Sequence, residues 1–394
     1  MDVQQHDVVI VGGGNAGISL AARLLRNGAR DVAVVEPNQV HRYRPLLNYV
    51  GAGEASMASL ERPMADVVPE GAVWVRDRVT SVDPATSTLT TGSGLAIGWH
   101  SLVLCTGLEE DWDATPGLEA AYASGWAAST FVIPSAGRVW GHLSARRAGS
   151  VLFTVPPEPA PCGVTGLKPL LMACDHWRRE GHLGSLDVRL VLPGQTATGH
   201  EGADQALERA FASYGVEVLR ESRVTGLDDE HRSVAVASPG GDRVLEVDFA
   251  HVVPHYRASR WVADSGLASA ETGLVDVDPE TLRHRRHPEV WAIGDGADLG
   301  TRPSGGALRP QVDVLAHNLA AARAGTALRA YDGYTVMPVT TGRRRLLLVE
   351  VDRDGRPAPS TPFPDLTRPR RSTWLFDRYG LPRVYFHRIL RGKV

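Results

Sequence analysis

The residues able to do chemistry fall into three groups. In the first, Gly12-Gly13-Gly14-Asn15-Ala16-Gly17 fits G-x-G-x-x-G, and Glu36 follows 19 residues after Gly17. In such a loop Gly12 permits a tight turn, Gly14 lets a pyrophosphate approach the backbone, and Gly17 allows close helix–strand packing. The phosphate then meets free N–H groups at the positive end of a helix dipole. An acid at the end of the second strand is placed to hydrogen-bond a ribose. The second group is Gly294-Asp295, after the apolar run Val290-Trp291-Ala292-Ile293. The third is Cys162, preceded by Val155-Pro156-Pro157-Glu158-Pro159-Ala160-Pro161 and followed by Lys168. A thiol becomes a nucleophile as its thiolate, and a nearby ammonium lowers its pKa. Against these stand plainer readings: Cys162 as a packed thiol, Lys168 as a solvated residue in a first helical turn.

Each group needs elements to hold it. Residues 7–11 read as a buried parallel strand and 32–35 as the next. Between them 15–26 reads as a helix, with Ile18, Ala21, Ala22, Leu24 and Leu25 mostly on one face. Strand, glycine loop, helix, strand and terminal acid together satisfy the full context of a dinucleotide-binding βαβ unit. Residues 41–53 read as irregular, and 73–82 and 101–104 as strands, the latter closed by Thr106-Gly107. A Gly- and Ala-rich stretch, 108–149, crosses into a second region. There a strand at 150–155, a helix at 167–180, a strand at 186–192, a helix at 203–214 and a strand at 216–220 repeat the βαβ pattern. Strands near 232–237 and 244–253 lead back to 290–294 and a helix at 308–324. A strand at 345–351, a proline-rich stretch at 356–369 and an aromatic and basic tail at 373–394 complete the chain.

The fold class is therefore α/β, with two Rossmann-like doubly wound domains and a C-terminal segment. We expect an FAD-binding domain from 1–110 plus 245–330, a second domain at 111–244, and a C-terminal segment at 331–394. Four prolines after the strand at 150–155 remove backbone donors a phosphate loop needs. One dinucleotide site is expected, and NAD(P)H is not expected as a substrate. In two-domain flavoproteins an Asp placed like Asp295 sits at the ribityl chain, which favours FAD; its other reading is a helix N-cap.

Composition narrows the class. The chain has 394 residues, with 42 Lys plus Arg against 45 Asp plus Glu, so nucleic acid is not an expected partner. Its three cysteines make neither a disulfide framework nor a zinc site, and no metal is expected. Cys105 reads as core and Cys174 as packed on a helix. No run approaches the ~20 apolar residues of a spanning helix, and no secretory signal is evident. The expected location is cytoplasmic, or at a membrane surface through the amphipathic tail. The tail reads equally as a terminal helix packed on its own domain or on a second subunit, which would make a homodimer.

The sequence resembles the sulfide:quinone oxidoreductases of the flavoprotein disulfide reductase superfamily, from residue 7 to about 392. The motifs are Tyr43-Arg44-Pro45 with Gly51-Ala52-Gly53; Phe153-Thr154-Val155-Pro156 through Cys162 to Lys168; and His176-Trp177-Arg178-Arg179. His251-Val252-Val253-Pro254, Val275-Asp276-Val277-Asp278, Thr281 to Arg286, Trp291 to Asp295, Gln311 and Tyr331 to Thr335 continue it. The resemblance implies FAD held by Gly12, Gly14, Asn15, Ala16, Gly17, Glu36, Pro45, Thr106, Gly107, Gly294, Asp295 and Gln311. It implies Cys162 as the flavin-side thiol, with Lys168 beside it. It also implies oxidation of sulfide or a small thiol, with quinone as acceptor at a membrane surface.

Two departures qualify this. Met337 stands where the family has its second cysteine, and Pro303 stands where it has a lysine, with Arg302 adjacent. A sulfur relay needs two thiols close enough to bridge. Cys162 working alone is one reading. Another is a soluble FAD-dependent oxidoreductase on a different organic substrate, and a third is a non-catalytic flavin-binding protein. His255, Tyr256 and His200 are further candidates for an acceptor pocket, against surface-turn readings for the first two.

Overall fold

The computed structural model describes residues 3–361 and 363–394; Pro362, within the proline-rich stretch, lies outside the described residues. The first sheet starts from β1 (Gln4–Val11), whose Val8–Val11 run is almost continuously apolar. Such a run suits a parallel strand covered on both faces. The helix α1 (Asn15–Arg26) follows, with Arg23 and Arg26 in its last turn at the negative end of the dipole. Next come β2 (Val32–Val35), β3 (Ala72–Val75), β4 (Val79–Asp83), β5 (Thr88–Thr91) and β6 (Ala96–Leu104). The order is β3-β2-β1-β6-β5-β4, and a later strand, Val290–Ala292, pairs with β6. Strands β1, β2, β3, β6 and Val290–Ala292 are parallel. Their carboxyl ends share one edge.

The second sheet holds β7 (Gly149–Thr154), β8 (Leu186–Val191), β9 (Glu217–Leu219) and β10 (Phe249–His251), all parallel, in the order β9-β8-β7-β10. Between β7 and β8 runs α2 (Leu167–Arg179), and between β8 and β9 runs α3 (Glu201–Tyr214). Beyond lie β11 (Val290–Ala292), α4 (Leu308–Ala324) and the hairpin β12 (Thr335–Gly342) with β13 (Arg345–Val351). At the carboxyl ends of β7, β8 and β10, Pro156, Pro157, Pro193 and Thr154 leave a cavity of about 20 Å³. That is room for roughly one water, in the crevice where a doubly wound sheet ordinarily binds its ligand.

Several expectations need correction. The stretch 73–82 is two strands, because Asp77 turns the chain by accepting from the N–H of Arg78 (2.7 Å) and Ser93 (3.1 Å). Residues 41–53 are not irregular: they hold a strand, Val40–Arg42, and a helical turn, Leu47–Val50. The stretch 108–149 contains helices Leu118–Ser124 and Ile133–Ala145, the second hidden by Gly137 and Gly141, which weaken a helical pattern. The expected strand at 232–237 is present as Ser233–Ala237, the middle of an antiparallel meander with Arg223–Asp228 and Arg243–Glu246; the expected strand at 244–253 is divided into Arg243–Glu246 and Phe249–His251. Strand β12 was obscured by Pro338, a residue strands tolerate only at edges.

The C-terminal segment is not one unit. Met337, Val339, Leu347 and Val349 of the hairpin join the core of the second sheet with Leu170 and Ala173. Trp374, Tyr385 and Leu390 of the tail join the core of the first sheet. The Arg23 guanidinium donates to the backbone oxygen of Val394.

Candidate active site

The glycine loop is packed on all sides but one. A Cβ on Gly12 would lie 2.3 Å from the Cys105 carbonyl oxygen, and one on Gly17 would lie 1.9 Å from the Gly12 carbonyl oxygen. Real contacts are never that short, so both positions require glycine. Gly14 differs: it is exposed, and a Cβ there would meet nothing within 4 Å. The open face of the loop is thus the one a pyrophosphate would approach. Glu36 ends β2, buried, with Oε2 accepting from the Gly13 N–H (2.7 Å) and Oε1 from the Asn38 N–H (2.7 Å) and side-chain amide (2.6 Å). A carboxylate oxygen accepts more than one donor, so Glu36 keeps capacity for a ribose hydroxyl.

The other segments converge on this loop. Gly294 sits beside Ala16, and Gly296 lies so close to Thr106 and Gly107 that a Cβ would be 2.6 Å from the Gly107 oxygen. The Gln311 side chain reaches back from α4 to accept from the Gly294 N–H (2.9 Å), and the Asn15 amide donates to the Gly305 carbonyl (3.4 Å). Gly12, Ala16, Thr106, Gly107, Gly294, Asp295 and Gln311 therefore line one groove. Pro45 stands apart as the exposed opening of a short turn; its neighbour Arg44 carries the charge that acts on Asp295. Asp295 does not cap a helix, since α4 begins 13 residues later. Burial raises the Asp295 carboxyl to about 6, and Arg44 pulls the other way.

The groove also has a floor that sequence reading missed. His41 is buried, with Nδ1 3.1 Å from the Gly13 carbonyl and Nε2 2.6 Å from the Tyr385 hydroxyl. A carbonyl only accepts, so Nδ1 carries the proton and Tyr385 donates to Nε2. Burial holds this imidazole down at about 4, neutral at physiological pH. The tail is thereby hydrogen-bonded to the underside of the glycine loop. The signal for it, an aromatic stripe in the tail, fitted a docking surface equally well.

Cys162 ends the proline loop in the left-handed conformation, φ +55°, and is partly exposed. Its carbonyl accepts from the Thr165 N–H (2.9 Å) and hydroxyl (2.8 Å). Behind Thr165 a buried chain runs through Asn48 and Thr130 to His251, whose Nε2 accepts from the Thr130 N–H (3.0 Å). Burial lowers His251 to about 4, and its Nδ1 has no partner. Burial pushes the Cys162 thiol up to about 12; Lys168 opposes this, while Asp295, Glu158 and Asp377 add to it. The charge of Asp295, beside the glycine loop, thus also acts on the thiol.

Lys168 is not a solvated residue. It is 1% exposed, its ammonium lies 2.8 Å from Asp377 Oδ2, and it rests 4.9 Å from the Tyr49 ring centroid. The first turn of α2 points inward, under the tail. Met337 is buried, with its sulfur 3.4 Å from the Arg302 guanidinium, which also donates to the carbonyls of Ala197 and Thr198 at 3.2 Å. Cys105 and Cys174 lie in separate cores, both with thiols raised by burial. His200 caps α3, its Nδ1 accepting from the Ala203 N–H (3.4 Å). His255 and Tyr256 lie on a short strand paired with Glu109–Asp111, not in a free surface turn, and His255 borders the small proline-lined cavity. Among the described residues no cluster of His, Cys, Asp or Glu is suited to a metal ion.

Comparison with known proteins places this geometry. Residues 6–139 match the pyridine nucleotide-disulphide oxidoreductase model. An NADH dehydrogenase-like protein of Mycobacterium tuberculosis is 30% identical over 318 residues, spanning 74% of this chain and 72% of the relative.

The chain belongs to the pyridine nucleotide-disulphide oxidoreductase family.

Within this family the mouse mitochondrial sulfide:quinone oxidoreductase is 29% identical over 392 residues, covering 98% of this chain and 87% of the relative. The structure of the Aquifex aeolicus sulfide:quinone oxidoreductase superposes with a TM-score of 0.78 at 17% identity, over 97% of this chain and 92% of that one, a likeness of fold. The oxidoreductase is an FAD-dependent enzyme related to the sulfide:quinone oxidoreductases. Its open Gly14 face and the Glu36 carboxylate fit a single dinucleotide.

Proposed function

We propose that the oxidoreductase joins sulfide to a small thiol at Cys162 and sends the two electrons through FAD to a quinone. Two sulfhydryls lose two protons and two electrons, an S–S bond forms, and the quinone leaves as quinol. The bound flavin supplies the two-electron acceptor. The chain's part is to hold it by the loop Gly12–Gly17, Glu36, the Thr106-Gly107 and Gly294-Asp295 turns and Gln311. Cys162 supplies the thiolate, Lys168 favours its charged form, and Asp295, raised to about 6, can exchange a proton near neutral pH.

One observation carries this reading. A partly exposed thiol in a left-handed residue feels the charge of Asp295, in the acid turn beside the glycine loop. Two supports come from elsewhere. The mouse and Dictyostelium relatives are named sulfide:quinone oxidoreductases. Leu375, Phe376 and Tyr379 of the tail are 45%, 51% and 48% exposed, an apolar patch suited to a lipid surface from which quinone is drawn. No described helix is long and apolar enough to cross a membrane. With sulfide and a small thiol as donors, quinone reduction should fall to background in Cys162→Ser; an undiminished rate would overturn the assignment.

A second reading has its own support. Met337 fills the place of the second thiol with a buried thioether, and thioethers do not form disulfides. On this reading the enzyme oxidises another organic substrate, and Cys162 is idle. Turnover of that substrate in solution with oxygen, unchanged in Cys162→Ser, would favour it.

A further inference from the structure

A buried side chain from the first core reaches the thiol loop. Cys162 has φ +55°, a conformation that a residue with a side chain keeps only where its surroundings hold it. The hold is on its carbonyl, which accepts from the Thr165 N–H (2.9 Å) and the Thr165 hydroxyl (2.8 Å). A hydroxyl has one proton, so any further bond at Thr165 Oγ1 must be accepted, and the Asn48 amide donates it at 3.2 Å. The orientation of the amide follows: Asn48 Oδ1 faces Thr130 and accepts from its hydroxyl at 2.6 Å. Thr130 is anchored in turn by its N–H on His251 Nε2 (3.0 Å), at the end of β10. All four side chains are buried. Asn48 lies in the helical turn Leu47–Val50, whose Leu47, Tyr49 and Val50 belong to the core of the first sheet. Val164 and Leu167, on either side of Thr165, belong to the core of the second. The amide therefore bridges the two cores directly behind Cys162.

We propose that Asn48 is a positioning residue for Cys162: its amide, bridging Thr130 and Thr165, holds the thiol loop in place against the domain that carries the glycine groove. The bridge needs a donor toward Thr165 and an acceptor toward Thr130. An amide supplies both, a carboxylate supplies no donor, and an apolar side chain supplies neither. Without the bridge the Thr165 hydroxyl is free to turn from the Cys162 carbonyl, and Cys162 can leave its left-handed conformation. The thiol then meets small reagents more often and stands in its reacting position less often. The inference rests on Cys162 being the reacting thiol.

Alkylation of Cys162 by iodoacetamide in the flavin-loaded enzyme, followed by mass spectrometry of its peptide, reads how often the loop opens. Buried Cys105 and Cys174 serve as internal controls. Asn48→Leu should raise the Cys162 rate about tenfold with both controls unchanged, the scale expected when buried hydrogen-bonding groups lose their partner. Thr165→Val should do the same, whereas Thr165→Ser, which keeps the hydroxyl, should stay within about twofold of wild type. Looser packing alone would not distinguish the two Thr165 variants in this way. An Asn48→Leu rate at or below wild type overturns the proposal. Should that variant misfold, seen as reaction at Cys105 and Cys174, the Thr165 pair decides: equal rates in Thr165→Val and Thr165→Ser overturn it. With sulfide as donor, Asn48→Leu should also lower kcat for quinone reduction about tenfold while KM for sulfide barely moves, as lost positioning requires. An undiminished rate in Cys162→Ser would reject the reading beneath the proposal, and the alkylation rates would still report whether Asn48 holds the loop.

Discussion

The two glycines at either end of the helix turn should respond oppositely to one added methyl group. Gly17→Ala puts a Cβ 1.9 Å from the Gly12 carbonyl oxygen and 3.2 Å from Ile10 Cγ2. Van der Waals contact is near 3.4 Å or more, so α1 must lift from β1 by over an ångström. Overpacking of this kind costs about 1–3 kcal/mol, which the helix propensity of Ala, worth about 1 kcal/mol, only partly offsets. Gly14→Ala meets nothing within 4 Å, and Gly14 has φ −74°, which alanine adopts freely. Its apoprotein should gain about 0.4–1 kcal/mol through the unfolded chain. Its methyl, however, occupies the path of the pyrophosphate, and FAD affinity should fall at least tenfold, each factor of ten being about 1.4 kcal/mol. Thermal denaturation of the deflavinated proteins and fluorescence titration with FAD separate the two effects. Gly17→Ala should lose both stability and flavin; Gly14→Ala should lose flavin alone. A Gly14→Ala protein that binds FAD as tightly as wild type would refute the placement of the cofactor.

Other outcomes follow from the surroundings of the groove. Tyr385→Phe strips His41 Nε2 of its donor in a buried site, which should cost about 1–3 kcal/mol, read as a lowered melting temperature; no change would show that the tail does not brace the glycine loop. His41 and His251 are both held near 4, below the ordinary 6.5, so the unfolded chain takes up protons first as pH falls. Their contribution is complete above about 6.5 and drains as pH drops toward 4. Melting temperature should fall across that window, and a flat profile would contradict it. Replacing Leu375 and Phe376 by Glu should abolish co-sedimentation with lipid vesicles while leaving the melting temperature near wild type, because both side chains face solvent. Unchanged sedimentation would remove the tail patch from the membrane reading.

The local parts of this architecture were plain in the sequence, and the contacts made at a distance were not. Helices Asn15–Arg26 and Leu308–Ala324 and the strands Val32–Val35 and Arg345–Val351 follow from apolar periodicity alone. The convergence of Gly12, Thr106, Gly107 and Gly294 was legible because each follows a buried strand, whereas Gln311, inside the helix Leu308–Ala324, was expected only from the family resemblance. The strand Arg223–Asp228 and the helices of 108–149 escaped because glycine, proline and charged residues interrupt their periodicity. The burial of Lys168 was not legible for a different reason. Its partners Asp377 and Tyr49 lie 209 residues after it and 119 before it, and nothing in its own neighbourhood marks it as buried. The same holds for His41 and Tyr385, 344 residues apart. Pairings of that span are decided by how the tail lies on the first sheet, which periodicity does not encode.

Anaerobic titration of the yellow enzyme with sulfide and a small thiol tests most directly whether electrons enter the flavin through Cys162. Wild type should bleach in proportion to the sulfide added and recover colour when quinone is admitted, whereas Cys162→Ser should stay oxidised under the same donors. Equal bleaching by the two proteins would contradict the account.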